Sequence, residues 1–185
     1  MANDLDGTRV ALLIAPAGTE EPEFTEPRKA LEAAGATVTV VGLDTDDAHA
    51  VNHDLEPAGT YAVDRAVAGV APEDFDGLVV PGGTVGADKL RAEDDVVRLV
   101  KAFGDDDAKV LAAICHGPWT LAESGVAEGR RLTSYPSLRT DLRNAGATWV
   151  DEEVVVDGNL ITSRKPDDLP AFTSALVDAL AARKS

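Results

Sequence analysis

The 185-residue sequence has very little cysteine: Cys115 is the only one, so no disulfide can form within the chain. It also has no apolar run near the ~20 residues that a membrane-spanning helix needs. The first ten residues, MANDLDGTRV, are acidic and lack the apolar stretch of a secretory signal peptide. A lone thiol fits a reducing compartment, so we expect a cytoplasmic protein with no membrane partner.

Positive charge is scarce as well. Only six residues are lysine, whereas 21 of the 33 acidic residues are aspartate, and the net charge is -16. A surface of this sign repels phosphate backbones, so we expect no nucleic-acid partner. In molar salt the Debye length falls to ~3 Å and self-repulsion is largely screened. The composition therefore predicts a halophilic protein, with an ordinary acidic cytoplasmic protein as the alternative.

Strand-like and helix-like segments alternate along the chain, with no internal repeat. Hydrophobic residues make up 44% of the sequence, enough for a folded core. Continuous apolar or β-branched runs predict buried strands at Val10–Ala15, Thr37–Val41, Gly77–Val80 and Lys109–Ile114. Helical patterns alternate with these runs, which indicates a mainly parallel sheet covered by helices on both faces.

Two further expectations complete the fold. Asp157-Gly158-Asn159, between two short β-branched runs, predicts an added β-hairpin near the end of the chain. We expect residues 1–185 to form a single α/β domain in which residues 1–8 are a flexible N-terminal arm. In such sheets, binding sites form at the carboxyl ends of the strands. The segments Gly18–Glu23, Pro81–Gly83 and Cys115–Pro118 all follow strands, so they should meet at one edge.

The segment Ala112–Pro118, AAICHGP, is the strongest chemical signal. A buried strand ends, one residue turns sharply and a helix begins, which is the geometry of a nucleophile elbow with cysteine in place of serine. Such a turn exposes the sulfur and directs N–H groups of the helix start toward it, which should lower the pKa of the thiol. The alternative is a buried structural cysteine, the usual state of a lone intracellular thiol.

Other residues are candidates for the same site. The N–H groups of Gly83 and His116 could form an oxyanion hole. Glu20 and Glu23 lie three residues apart, and one of them could hold a proton for the sulfur, but spacing does not say which. His49 and His53 lie in an acidic, irregular stretch and are expected to be solvated loop residues. No third ligand accompanies them, so we expect no metal site.

These motifs resemble the PfpI-type intracellular peptidases of the ThiJ/PfpI superfamily. The resemblance extends from about Arg9 to Leu180 and is carried by GTEEPEF, FDGLVVPGG, AAICHGP and the long segment that begins LTSYPSLRTDLRNAGATWVDEE. It implies a flavodoxin-like three-layer sandwich. It also implies that the chain binds copies of itself to form a homo-oligomer, either a dimer or a hexamer.

The resemblance implies roles for single residues as well. Cys115 matches the nucleophile, His116 its neighbouring histidine, and both Glu20 and Glu23 match acidic positions. In such oligomers the histidine pairs with a carboxylate of an adjacent subunit, and Asp88 is the nearest candidate here. Tyr135 matches a tyrosine near the site of these proteins, so the resemblance implies a role in orienting the substrate.

The leading hypothesis is a cysteine-dependent hydrolase, in which the Cys115 thiolate attacks a carbonyl of a peptide or of a glycated or α-oxoaldehyde substrate. Neither chemistry requires a cofactor or a metal. A glutamine amidotransferase would need a histidine well downstream of the cysteine, and none follows His116. The other hypothesis is a cysteine-based stress-response or redox-sensing protein with little turnover, whose Cys115 is oxidised by peroxide.

Overall fold

The computed structural model describes residues 5–183. Its regular structure within that range consists of twelve strands, six α-helices and four short 3-10 turns. The strands are β1 (Arg9–Leu13), β2 (Ala17–Glu20), β3 (Thr37–Gly42), β4 (Ala48–Asn52), β5 (Glu56–Tyr61), β6 (Arg65–Ala66), β7 (Gly77–Val80), β8 (Val110–Ile114), β9 (Arg131–Leu132), β10 (Thr148–Trp149), β11 (Val154–Asp157) and β12 (Leu160–Ser163). The helices are α1 (Glu21–Ala33), α2 (Thr84–Arg91), α3 (Asp94–Gly104), α4 (Trp119–Glu123), α5 (Arg139–Asn144) and α6 (Leu169–Arg183).

A seven-stranded sheet forms the middle layer, in the order β11-β12-β8-β7-β1-β3-β6. All of its pairings are parallel except that of β11 with β12. Side chains of α1 and α6, such as Phe24 and Phe172, form one core with one face of the sheet. Side chains of α2 to α5 form a second core with the opposite face. This is the predicted flavodoxin-like three-layer sandwich, in which the central strands are apolar throughout because both faces are covered.

The predicted hairpin is confirmed. Strands β11 and β12 pair antiparallel, with Asp157 opposite Leu160, so Gly158 and Asn159 form a two-residue turn. Gly158 has a φ of 62°, a conformation that glycine adopts without steric cost. Asn159 is buried, and its side-chain amide donates to the carbonyl of Phe103 at 2.8 Å. The turn is therefore tied to the end of α3.

The segment 44–76, predicted to be irregular with short strands, contributes a second sheet. Strand β4 pairs antiparallel with β5 and parallel with β2, in the order β2-β4-β5. Strand β2 was not predicted from the sequence, and neither was the separate helix α2. This small sheet matters for the site because the turn between β4 and β5 reaches the carboxyl edge of the large sheet.

The predicted flexible arm at residues 1–8 is wrong for its second half. Leu5 is fully buried in the core against α1 and α6, and its N–H donates to the carbonyl of Ala34 at 2.8 Å. Thr8 is buried as well, and its carbonyl accepts the N–H of Thr37. An apolar residue at position 5 fills the space beside the end of α1. Residues 1–4 lie outside the described residues.

Between residues 5 and 183 no helix is both long enough and apolar enough to cross a membrane. Most of the ion pairs lie at the surface, for example Lys29 with Glu26 and Lys101 with Asp105. Pairs of this kind contribute little to stability, so they do not offset the repulsion of the excess acidic groups.

We propose that the fold is adapted to high salt, and we expect its melting temperature to rise between dilute buffer and molar KCl. Screening of the -16 net charge is the physical reason. Thermal unfolding followed by circular dichroism in a KCl series measures the effect, and a sucrose series controls for general stabilisation by an excluded solute. Equal melting temperatures in dilute buffer and molar KCl would contradict the proposal.

Candidate active site

Cys115 lies where β8 ends, at the centre of the carboxyl edge of the large sheet. Its φ is 63°, in the left-handed region that residues other than glycine rarely adopt. Its N–H donates to the carbonyl of Ser163 at 3.1 Å, and its carbonyl accepts the N–H of Tyr135 at 2.8 Å. A strained residue persists only when its surroundings hold it, and strain of this kind concentrates at functional sites. The sharp turn predicted from AAICHGP is therefore present.

Close backbone approach explains the glycines on both sides of the turn. A Cβ atom at Gly117 would lie 2.6 Å from the carbonyl oxygen of Val80. A Cβ atom at Gly82 would lie 2.5 Å from Oε2 of Glu23 and 2.7 Å from Cβ of Cys115. Only glycine allows the end of β7 to approach the cysteine this closely.

We expect Gly82→Ala to disturb the site and to destabilise the fold by about 1–3 kcal/mol, the usual cost of overpacking. Its Cβ atom would displace the Glu23 carboxyl or the Cys115 backbone. Gly69→Ala is the matched control, because nothing lies within 4 Å of a Cβ atom there. Urea unfolding of both variants measures the difference, and equal stabilities would show that the approach at Gly82 is unimportant.

The sulfur faces a cavity of about 270 Å³. This Cys115 cavity is lined by Glu20, Glu23, His53, Asp54, Gly83, Cys115, Tyr135 and Pro166. The expected exposure of the sulfur is wrong: Cys115 is only 6% exposed and belongs to the core on the side of α1 and α6, although it also lines this cavity beside polar groups. It is therefore neither a surface thiol nor a thiol enclosed by aliphatic side chains.

Glu23, not Glu20, is the carboxyl group beside the thiol. Its side chain is fully buried, Oε2 accepts the N–H of Gly82 at 2.9 Å, and the carboxyl interacts with Cys115. Burial raises the pKa of Glu23 to about 8, so the group carries its proton at neutral pH. Oε1 has no hydrogen-bond partner by distance and angle among residues 5–183. The carboxyl therefore keeps one oxygen free of the Gly82 N–H, and its proton can interact with the neighbouring thiol.

Glu20 has another task. Its two carboxylate oxygens accept the N–H groups of His53 at 2.8 Å and of Asp54 at 3.1 Å. The side chain is 7% exposed and holds the turn between β4 and β5 against the site. His53, expected to be a solvated loop residue, is exposed but lines the Cys115 cavity. Sequence reasoning missed both His53 and Asp54 as residues of the site.

The His116 ring contacts the thiol despite being its neighbour in the chain. Its Nδ1 lies 3.3 Å from Sγ of Cys115. Its Nε2 lies 3.3 Å from the hydroxyl of Thr84 and 3.4 Å from that of Ser137. Burial lowers the pKa of His116, and the Asp54 charge opposes that shift. A neutral imidazole next to a thiol can accept its proton.

Tyr135 packs on the other side of this ring. The two rings are stacked, with centroids 4.8 Å apart, and the tyrosine is 40% exposed. It also borders a second cavity of about 340 Å³ lined by Pro136, Asp151, Arg164 and Lys165. Tyr135 therefore borders both cavities and separates two spaces that a longer ligand could occupy.

The expected lowering of the thiol pKa by a helix start is wrong. Burial and the nearby Glu23 carboxylate raise the pKa of Cys115, whereas the N–H groups of Gly83 and His116 lower it. Helix α4 has only five residues, so its dipole is weak. Because Glu23 is protonated at neutral pH, its repulsion of a thiolate is absent there, and its proton favours the thiolate instead.

Gly83 and His116, the expected oxyanion-hole residues, both direct their N–H groups at the sulfur. Gly83 has a φ of 85° and precedes the first residue of α2. A Cβ atom there would overlap the carbonyl of Gly18, because β2 packs closely against the start of α2. These donors are rigidly placed around Sγ before any ligand arrives.

Asp88 does not reach His116 within one chain. It lies on the exposed side of α2, whereas Thr84 and Ser137 contact the imidazole.

Among residues 5–183 no group of three or more histidine, cysteine or acidic side chains could hold a metal ion. His49, expected in a solvated loop, lies exposed in β4, and its Nδ1 is 3.1 Å from the hydroxyl of Thr60.

The fold and the strained cysteine define a class: α/β sandwich proteins with a cysteine at a strand-to-helix turn. A sequence model described as "DJ-1/PfpI family" matches residues 8–179. General stress protein 18 of Bacillus subtilis is 44% identical over 154 residues, which cover 83% of this chain and 87% of that protein. A second B. subtilis protein, named "Putative cysteine protease YraA", is 40% identical and covers 87% and 92% of the two chains.

A solved structure gives the same result for the fold. Drosophila melanogaster DJ-1beta superposes with a TM-score of 0.84 at 36% identity, covering 96% of this chain and 92% of that one. The chain belongs to the DJ-1/PfpI family. The resemblance drawn from AAICHGP and the neighbouring motifs is thereby confirmed.

Proposed function

We propose that the protein is a cysteine-dependent hydrolase that attacks a carbonyl carbon with Cys115. The observation that carries the proposal is the 3.3 Å approach of His116 Nδ1 to Sγ at a sulfur that faces a cavity. The thiol, its base and a carboxyl that holds a proton are all in place around one atom. The relative named as a cysteine protease supports the same chemistry.

The first step forms a bond between Sγ and the carbonyl carbon. The thiol proton passes to Nδ1 of His116, and the electron pair of the carbonyl π bond moves to the oxygen. The N–H groups of Gly83 and His116 and the proton on Glu23 surround the sulfur, so they stabilise the thiolate before the bond forms. Once the sulfur is neutral, the same two N–H groups are the proposed donors to the oxyanion. All of these groups belong to the chain itself.

The later steps depend on the substrate. With an acyl substrate, the leaving group departs with the proton from His116, and water then cleaves the thioester and regenerates the thiol. With an α-oxoaldehyde, the first product is a hemithioacetal. A cavity of about 270 Å³ suits a small carbonyl compound or one residue of a peptide. We therefore propose both acyl compounds and α-oxoaldehydes as substrate classes.

Turnover assays with methylglyoxal and with a chromogenic peptide test the proposal. We expect at least one substrate to be consumed repeatedly, with a burst of one equivalent per chain if the covalent intermediate accumulates. Denatured protein and protein alkylated at Cys115 are the controls. No turnover with either substrate, together with quantitative oxidation by low concentrations of peroxide, would favour the second function below.

The second candidate is a stress-response or redox-sensing protein with little turnover. It is favoured by the relative named general stress protein 18 and by the protonated carboxyl beside the only thiol. Two-electron oxidation by peroxide would convert the thiol to a sulfenic acid, and water would be released. Mass spectrometry after peroxide titration reports the oxidation state of Cys115.

We further propose a homo-oligomer in which Asp88 of one chain lies near His116 of another. The position of Asp88 on the exposed side of α2 leaves it available to a second subunit. Aspartate is shorter than glutamate, so the two chains must approach closely for the contact to form. Sedimentation equilibrium gives the oligomeric state, and a monomer at assay concentration would contradict this proposal.

A further inference from the structure

The turn between β4 and β5 holds two strained residues in succession. His53 and Asp54 have φ values of 53° and 64°, in the left-handed region, although neither is glycine. Such residues cost of order 1–3 kcal/mol each and persist where the surroundings fix them. Here both N–H groups donate to the Glu20 carboxylate, which is almost fully buried. The chain thus maintains a costly conformation at the edge of the Cys115 cavity.

This turn is connected to His116 by direct contacts. Oδ1 of Asp54 accepts the N–H of Thr84 at 2.6 Å. The hydroxyl of Thr84 lies 3.3 Å from Nε2 of His116, and Nδ1 of the same ring lies 3.3 Å from the sulfur. Glu20, Asp54, Thr84 and His116 therefore form a continuous series that ends at Cys115, within a single chain.

We propose that Asp54 is the positioning residue of His116: it fixes Thr84 against the ring, and its negative charge stabilises the imidazolium that forms when His116 accepts the Cys115 proton. The role of Glu20 is then to hold Asp54 in the strained turn. The inference rests on the proposed function, because it assigns His116 the part of proton acceptor. It places one carboxylate that acts on His116 within the same chain, whereas Asp88 would act from a second subunit.

The electrostatic surroundings support this assignment. The titratable groups in contact with the His116 ring are Cys115 and Tyr135. Glu20, Glu23 and His53 line the Cys115 cavity together with Asp54, and Arg91 and Asp141 contact the Trp119 ring that packs on the imidazole. Burial lowers the pKa of His116, and the charge that raises it is that of Asp54. Glu23 is neutral at pH 7, so it does not take over this task.

Titration of the His116 ring by NMR tests the proposal with Asp54→Asn. Asparagine keeps an oxygen that can accept the N–H of Thr84 but carries no charge. We expect the proton affinity of His116 to fall about 3- to 10-fold relative to the wild type, the size of a screened charge interaction. His116→Gln identifies the resonance among the three histidines. Asp47→Asn, on an exposed loop, is the matched control and should leave the His116 titration unchanged.

An unchanged His116 titration in folded Asp54→Asn would overturn the proposal, and a shift caused by Asp88→Asn instead would assign the task to the second subunit. If Asp54→Asn does not fold, Asp54→Ser provides a neutral acceptor at the same turn and must give the same downward shift. The titration requires no substrate. If the wild type shows no turnover, the proposed function is wrong, but the effect of Asp54→Asn on the His116 titration can still be measured.

Discussion

Cys115→Ala is expected to reduce turnover by a factor on the order of 10⁴ or more, because it removes the atom that forms the covalent bond in the proposed first step. The chain has no second cysteine to substitute for it. Turnover of whichever substrate the wild type accepts measures the loss. Cys115→Ser should be nearly as inactive, because a hydroxyl beside a neutral imidazole is a much weaker nucleophile than a thiol.

The same two variants are expected to remain folded, with melting temperatures within a few degrees of the wild type. Cys115 is buried, but it faces a polar cavity, and both replacements are smaller than cysteine or close to it in size. Alanine and serine meet the same steric cost at a φ of 63°. Retained turnover in a folded variant would contradict the assignment of the nucleophile.

The second large effect is expected from Glu23→Gln, in the dependence of stability on pH. Burial raises the Glu23 pKa from 4.5 in the unfolded chain to about 8 in the folded protein. The folded state therefore binds the proton more tightly than the unfolded chain does. The stability that this difference contributes is fully present below pH 4.5. This contribution is lost progressively as the pH rises through about 8, by up to about 5 kcal/mol, because a buried carboxyl must ionise.

Glutamine cannot ionise, so Glu23→Gln should lose none of this stability. Its free energy of unfolding relative to the wild type should rise steadily between pH 5 and pH 8, as measured by urea unfolding. Glu26→Gln, at an exposed position of the same helix, is the matched control and should show a constant difference. Parallel curves for the wild type and Glu23→Gln would mean that the carboxyl is ionised in the folded protein.

The cysteine turn could be predicted from the sequence because its determinants are local. A buried apolar strand ends in Cys-His-Gly-Pro; Gly117 allows the close backbone approach that a sharp turn needs, and Pro118 favours the start of a helix. The Pro-Gly-Gly segment likewise marks the place where β7 ends and the backbone approaches the sulfur. Local chemistry of this kind leaves few alternatives.

The division of tasks between Glu20 and Glu23 could not be predicted. The spacing of three suggests that both lie on one helix face, but Glu20 is extended, with a φ of -66° and a ψ of 118°, and belongs to β2. Its side chain therefore points toward the turn between β4 and β5, whereas Glu23 is buried in the first turn of α1. The difference arises from the strand, which the apolar pattern does not mark.

His53 and Asp54 were missed for a different reason. Left-handed turns are predicted from glycine or asparagine, and this turn contains neither at the strained positions. The conformation is imposed by a carboxylate 33 residues away in the chain. The pKa of the thiol was predicted in the wrong direction because burial depends on tertiary packing, which no local motif reports.

The central claim is that Cys115 is a nucleophile which a reagent in the cavity can reach in the folded state. The rate of alkylation by iodoacetamide, followed by intact-mass spectrometry of the native protein near neutral pH, tests it most directly. We expect complete modification at this one site in the native protein, with a rate that falls in His116→Gln because the thiol then lacks its proton acceptor. A thiol that reacts in guanidinium chloride but stays unmodified in the native protein would contradict the account.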